Sequence, residues 1–250
     1  MTDSFRALCN DFYVNQKLSV KMDLPGGRET VLDLFERVRK AFPKMDQFKR
    51  YKDELALESS PDERPQRWLA IRSSNIRSGV VNPESADPAY GLHRKTLEIA
   101  PYFLSISPLD IDYLELLFGF DLAASGNHDQ IVYDAVLAET SFASLLDLDT
   151  AHASEAQPLF GVTYGAKHDR EAHVEIKTRS TPREGELEGE SSADPISVYL
   201  TVRRYGPFRE LDELPEVLES LAREGEAFVE SSLAPSFLSP IRSAIAARGG

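Results

Sequence analysis

The sequence predicts an α+β protein made of two ferredoxin-like βαββα halves, with antiparallel sheets and helices on one sheet face. Three observations lead to this prediction. First, two long segments, 11–24 and 111–122, alternate apolar and polar residues. Second, each of them continues through a short glycine-containing turn into a segment whose apolar residues have helical spacing. Third, the order of strands and helices in the first part of the chain recurs in the second. We therefore divide the chain into a first half, residues 1–108, and a second half, residues 109–250.

The first half begins with the strand over 11–24, whose alternation indicates one buried face. A turn at Pro25 ends this strand, and apolar residues at helical spacing then predict a helix that ends before Pro43. The remaining predicted elements of this half are two strands, over 49–58 and 67–81, and a helix over 89–103.

The second half repeats this order and adds a longer tail. Residues 180–195 are rich in Glu, Gly and Ser and poor in apolar residues, which predicts a mobile acidic loop. The predicted elements are a strand over 111–122, a helix over 128–142, a hairpin over 159–166 and 172–179, a strand over 196–205, a helix over 211–228 and a short helix in the C-terminal tail.

An offset of 100 residues aligns the two strand–turn–helix segments, which predicts an internal duplication. Tyr13 then meets Tyr113 and Phe42 meets Phe142, although the same offset does not hold for the later elements. The double βαββα plan resembles that of dimeric α/β-barrel proteins, some of which bind haem. This likeness of architecture carries no functional prediction, and no histidine stands out as an axial haem ligand.

In this arrangement the sheet face without helices carries polar and aromatic side chains. They suit an anionic or amphipathic small molecule, or a sheet from a protein partner; a solvated face, or a seam between the halves, is the alternative. A one-residue slip in register would move the residues of any strand to the opposite face. The predicted ligand-binding residues are Tyr13, Tyr113, Glu115, His173, Glu175, Tyr199, Arg203 and Tyr205.

Charge and cysteine content argue against several classes of protein. A formal net charge of −13 disfavours nucleic acid and anionic membranes as partners, because both recruit clustered Lys and Arg. No apolar run approaches the ~20 residues needed to span a bilayer, and the first residues lack a signal-peptide pattern. The single cysteine, Cys9, rules out an internal disulfide and a cysteine-based zinc site, and it favours the cytoplasm.

Motifs for catalysis, nucleotide binding and metal binding are missing from the sequence. The nucleophile motif G-x-S-x-G and the phosphate-binding glycine motifs do not occur. His168 and His173 flank a predicted turn and would point to opposite faces of a strand, while His93 is expected on a polar helix face. The turn after Pro25 keeps a glycine in the second copy, but its polar residues are different there. We therefore interpret this turn as part of the scaffold and not as a binding site. We predict no metal and no cofactor.

The leading functional prediction is therefore a soluble cytoplasmic protein that binds a small ligand or a protein partner through the polar sheet face without catalysing a reaction. One alternative is an enzyme that acts on a small anionic or amphipathic molecule there, with His173 among its acid and base groups. The other is a structural subunit of a homo-oligomer, with sheet faces paired.

Overall fold

The computed structural model describes residues 3–25, 27–146, 150–178 and 194–248. Its elements confirm the predicted α+β class with antiparallel strands, because nine strands form one antiparallel sheet accompanied by helices. Nearly all of the predicted mobile acidic loop, 180–195, lies outside the described residues.

Five strands come from the first half and four from the second. Those of the first half are β1 (Asp11–Val20), β2 (Met45–Arg50), β3 (Leu55–Ser59), β4 (Gln66–Arg72) and β5 (Asn75–Val81). Those of the second half are β6 (Ile111–Leu122), β7 (Leu159–Tyr164), β8 (Arg170–Lys177) and β9 (Ile196–Tyr205). The α-helices are α1 (Asp3–Arg6), α2 (Arg28–Ala41), α3 (Ala86–Phe103), α4 (His128–Val132), α5 (Glu213–Phe228) and α6 (Ser239–Arg248).

The sheet runs in the order β2-β3-β4-β5-β1-β6-β9-β8-β7, and neighbouring strands are antiparallel. β1 and β6 pair at its centre, where Phe12 lies opposite Phe120 and Leu18 lies opposite Leu114. The two halves therefore share a single sheet, and the central pair of strands joins them.

Two segments that were each predicted as one strand are hairpins. The segment over 67–81 turns at Ser73 and Ser74 and forms β4 and β5, and the segment over 49–58 turns back between β2 and β3. Neither turn contains glycine or proline, so the sequence carries no strong turn signal there. Because the first half has five strands, its ferredoxin-like plan and the internal duplication are not confirmed.

The core lies between the helices and one face of the sheet. Gly225 of α5 lies against the ring of Phe118 on β6, and Ser78 of β5 hydrogen-bonds His93 of α3, which places both helices on this face. Alternate residues of the central strands point into the core, as expected for a sheet with one buried face. Those of β1 and β6 include Phe12, Val14, Leu18, Val20, Leu114, Leu116, Phe118, Phe120 and Leu122.

A small polar cluster is enclosed in this core. Gln16, which interrupts the apolar alternation of β1, is buried together with Ser78 and His93. Ser78 Oγ lies 2.7 Å from Nδ1 of His93 and 3.0 Å from the side-chain amide of Gln16. The expectation that His93 occupies a polar helix face is wrong, because α3 turns this residue towards Ser78. Burial lowers the pKa of His93 to about 3.

The helix predicted over 128–142 is shorter and irregular. α4 ends at Val132, a π-helical segment covers Tyr133–Leu137, and a 3₁₀ segment covers Ser141–Leu146. A second π-helical segment, Val229–Leu238, joins α5 to α6, where the sequence predicts only one short helix. Both departures lie outside the sheet and leave its strands in place.

Candidate functional site: the polar sheet face

The sheet face opposite α3 and α5, here called the polar face, carries all eight predicted ligand-binding residues. Strand register brings them into adjacent rows, because Tyr113 lies opposite Tyr205, and Glu115 lies opposite Arg203. The other four are Tyr13 on β1, His173 and Glu175 on β8, and Tyr199 on β9. Whether these residues bind a ligand stays a prediction.

Arg203 is the centre of the largest interaction network on this face. Its Nε donates a hydrogen bond to Glu115 at 2.9 Å, and its Nη1 donates to the Tyr205 hydroxyl at 2.8 Å. The guanidinium carbon lies 4.3 Å from the centre of the Tyr113 ring, within the range of a cation–π contact. Burial alone would lower the pKa of Arg203, but Tyr205 and Glu115 outweigh it and raise that pKa.

Glu171 extends this network and was not among the predicted residues. It accepts a hydrogen bond from the Tyr205 hydroxyl at 3.0 Å and lies 3.1 Å from Nε2 of His173. The contacts with His173 and Tyr205, together with nearby Arg203, lower the pKa of Glu171. Tyr113, Glu115, His173, Arg203 and Tyr205 therefore belong to one connected group of charges and hydroxyls.

Tyr13 and Tyr199 form a second group, displaced from the first along the strands, and they lie on either side of Gly119 of β6. Their ring centres lie 6.4 Å apart, and the Tyr13 hydroxyl donates to Asp121 at 3.2 Å. Burial raises the pKa of Tyr13, so its hydroxyl stays protonated at neutral pH. Glu175 lies opposite Tyr199 in the sheet and pairs with Lys177 at 3.2 Å.

Lys17 lies on β1, at the centre of the polar face, and lacks an acidic partner within the described residues. Its Nζ donates to the Tyr113 hydroxyl at 2.7 Å. Its cross-strand neighbours are Arg77 on β5 and Glu115 on β6, but the Glu115 carboxylate binds Arg203 instead. Two cations, Lys17 and Arg77, thus stand directly opposite each other, an arrangement that destabilises a sheet unless an anion lies nearby.

A cavity of about 260 Å³ opens beside these cations. We call it the cation recess, and its lining residues are Asn15, Gln16, Lys17, Trp68, Arg72, Asn75, Arg77, Glu115 and Leu117. Three buried polar atoms at the recess have no hydrogen-bond partner in the described structure: Oδ1 of Asn15, Oδ1 of Asn75 and Nε of Arg77. Buried polar atoms are nearly always paired in proteins, so these three are exceptions in the walls of the recess.

The charges around the recess leave an excess of cations. Arg72 and Arg77 share a single carboxylate, that of Glu54, and Arg72 Nε donates to it at 2.8 Å. These arginines lower the pKa of Glu54 even though burial would raise it. With Lys17 unpaired, the recess is locally positive in a chain whose formal net charge is −13.

Close packing of aromatic rings on glycine shapes the walls of the recess. The Trp68 ring lies across Gly79 of β5, so closely that an added Cβ would overlap it. The Tyr13 ring lies across Gly119 in the same manner. Trp68 lines the recess, and the guanidinium carbon of Arg77 lies 5.8 Å from the centre of its ring.

Two further cavities flank this region. One, of about 420 Å³, lies on the other side of Trp68 and is lined by Asp11, Tyr13 and Asp121 among others. The other, of about 550 Å³, lies on the helix side of the sheet between α2 and the turn that joins β2 to β3. The recess differs from both in placing Lys17, which has no acidic partner in the described structure, beside Arg77.

The sequence pattern did not indicate that Trp68, Asn75 and Arg77 lie together. The segment over 67–81 was predicted as one strand, whereas the turn at Ser73 and Ser74 folds its two ends together. With that turn in place, Arg72 pairs with Asn75 and both face the recess.

Within the described part of the chain, no group of three or more His, Cys, Asp or Glu side chains is arranged to hold a metal ion. No helix in that part is both long enough and apolar enough to cross a membrane.

The only thiol of the chain, that of Cys9, is expected to react slowly. Burial, followed by the charges of Asp11 and Asp121, raises the pKa of Cys9 to about 12. Alkylation by iodoacetamide at about pH 8 should therefore be roughly 10³-fold slower than for a free cysteine, because only the thiolate reacts. Mass spectrometry of timed samples measures the rate, and unfolding in guanidinium chloride should restore the rate of a free cysteine. Rapid alkylation of the folded protein would contradict the partial burial of Cys9.

The chain was also compared with known proteins. It matches no model of a known protein family, and no curated protein matches it.

Proposed function

We propose that the protein binds a small anionic molecule in the cation recess, without catalysing a reaction on it. The observation that carries the proposal is the side-by-side placement of Lys17 and Arg77, of which Lys17 has no acidic partner in the described structure. An anion between them would remove the repulsion and accept hydrogen bonds from both, which are stronger than bonds between neutral groups.

The polar atoms of the recess indicate the kind of anion. Lys17 Nζ and the Arg77 guanidinium are donors, whereas the amide groups of Asn15 and Asn75 supply acceptors that are buried in the described structure and reach a ligand when these side chains turn towards the recess. A carboxylate or phosphate that also bears hydroxyl or amino groups satisfies both requirements. A volume of about 260 Å³ suits a small metabolite, since the pockets that hold drug-sized ligands measure roughly 300–1,000 Å³.

Binding without catalysis is supported by the state of the acid and base groups. Glu115 and Glu171 accept hydrogen bonds from Arg203 and Tyr205 and therefore serve as structural partners. The raised pKa of Tyr13, caused first by burial, keeps that phenol from acting as a base near neutral pH.

We also propose that the chain arose by duplication, with halves that divide near residue 108. β1 and β6 pair about a local two-fold axis at Gln16 and Leu116, residues that are 100 positions apart. On its outer side each of these strands pairs with the last strand of its own half, β5 or β9. A cytoplasmic location belongs to the same proposal and rests on the single cysteine.

Calorimetric titration with gluconate, a carboxylate rich in hydroxyl groups, tests the ligand proposal. Wild-type protein should bind gluconate more tightly than acetate, which lacks the hydroxyl donors. Lys17→Met should weaken gluconate binding by roughly tenfold or more, because it removes a charge-assisted hydrogen bond.

Lys21→Met is the matched control, because Lys21 lies just beyond β1 and its Nζ contacts only the Leu109 carbonyl, at 3.4 Å. Its affinity for gluconate should equal that of the wild type. Inorganic phosphate serves as a third anion. If neither gluconate nor phosphate binds wild-type protein, or if both lysine variants lose the same affinity, the cation recess is not the site.

A further inference from the structure

The two outer edges of the sheet differ in chemistry. The β2 edge, Met45–Arg50, carries Asp46, Lys49 and Arg50, and charged side chains of this kind prevent edge strands from pairing with other chains. The β7 edge, Leu159–Tyr164, has the sequence Leu-Phe-Gly-Val-Thr-Tyr and no charged residue. One edge is therefore protected against pairing and the other is not.

β7 is also unusually accessible for an apolar strand. The exposed fractions of Leu159, Phe160 and Val162 are 65%, 71% and 39%. In the described structure β7 pairs with β8 alone and ends the sheet, so its outer backbone groups face away from the other strands. An exposed, apolar edge strand of this length is a template for pairing with another strand.

We propose that β7 pairs antiparallel with β7 of a second copy of this chain, which joins two nine-stranded sheets into one. In this register Gly161 lies opposite the partner's Gly161, and Phe160 lies opposite the partner's Val162. Phe160 and Val162 point to the helix side, because their neighbours on β8 are Val174 and Ala172. The pairing therefore extends the apolar face of one copy directly into that of the other.

The charges on the two edges favour a closed pair of β7 strands over an open chain of copies, because the charged β2 edge is a poor partner for β7. Each chain has a formal net charge of −13, so two copies repel each other over most of their surfaces. The uncharged β7 is the segment at which they can approach with the least repulsion. An antiparallel strand pair is also self-complementary, as the two-fold axis of a symmetric dimer requires, and it leaves neither β7 edge open.

Light scattering coupled to size-exclusion chromatography tests the proposal on the full-length protein. Wild-type protein should approach twice 27.9 kDa as its concentration rises, and added salt should strengthen the dimer by screening the repulsion. Val162→Lys should yield the monomer, because it introduces two like charges beside the two-fold axis. Leu109→Lys is the matched control, since Leu109 is 82% exposed but lies outside the sheet edge; it should leave the dimer intact.

Hydrogen exchange of the wild-type protein gives a second readout that does not depend on whether a variant folds. Backbone amides of 159–164 should exchange more slowly at high protein concentration than at low concentration. A wild-type protein that stays monomeric at all concentrations would overturn the proposal. A dimer that persists in Val162→Lys would also overturn the proposal. The same holds if a higher protein concentration slows amide exchange in β2 but not in β7, because the copies would then pair through another surface.

Discussion

Replacing Gly225 by alanine is expected to lower the free energy of unfolding by about 1–3 kcal/mol, the usual cost of overfilling a close-packed core. Gly225 is buried in α5, and a Cβ at this position would overlap the ring of Phe118. Phe118 is itself fully buried at the centre of the sheet, so its ring cannot move into solvent. Either α5 shifts away from β6 or the ring leaves its favoured position. Urea denaturation followed by circular dichroism measures the loss.

Gly91 provides the control for this substitution because it has the opposite environment. It lies within α3, and a Cβ there would meet no atom within 4 Å. Gly91→Ala should therefore stabilise the protein by about 0.5–1 kcal/mol, through the lower flexibility of alanine in the unfolded chain. Equal effects of the two substitutions would show that α5 does not pack on β6 as described.

Lowering the pH from about 7 to about 5 is expected to remove about 2 kcal/mol of stability through His93 alone. Burial holds the pKa of His93 at about 3 in the folded protein, below the value of 6.5 in the unfolded chain. The unfolded chain therefore takes up a proton more readily as the pH falls. This contribution is fully present above about pH 6.5 and decreases by about 1.4 kcal/mol for each unit below it.

His93→Gln isolates this effect, because glutamine cannot be protonated but can still hydrogen-bond Ser78. Urea denaturation of the variant should show a much weaker dependence on pH between about 7 and 5. Glu171 and Glu54, whose pKa values are lowered in the fold by hydrogen bonds and arginines, lose their contributions only at more acidic pH. An identical slope for wild type and variant would mean that His93 is protonated in the folded protein.

Local pattern predicted the central strands well, because their alternation depends only on which face is buried. β6 occupies the predicted positions, whereas β1 ends at Val20, four residues before the predicted end at 24, and Met22 beyond it is exposed. Gln16, the one exception to the alternation within β1, belongs to the buried cluster of Ser78 and His93. The hairpin turn at Ser73 and Ser74 was missed because its residues do not require an unusual backbone conformation. An alternating pattern continues through such a turn without interruption.

The contacts of the candidate site depend on strand order, which the sequence pattern does not specify. Period-two alternation was enough to place Tyr113 and Arg203 on the same face. Their contact follows from the pairing of β6 with β9, whose residues are far apart in the chain. The cation recess similarly requires β5 beside β1, so that Arg77 stands opposite Lys17.

The central pairing of β1 with β6 has a consequence for synthesis of the chain. Each residue of β1 pairs with a residue about 100 positions later, so β1 leaves the ribosome long before its partner exists. At translation rates of ~5–20 residues per second this interval is about 5–20 s. Throughout that time the edge of β1 that pairs with β6 stays open, even after β5 has been made and can pair with the other edge. The yield of folded protein should therefore depend on the translation rate and on chaperones that shield this strand.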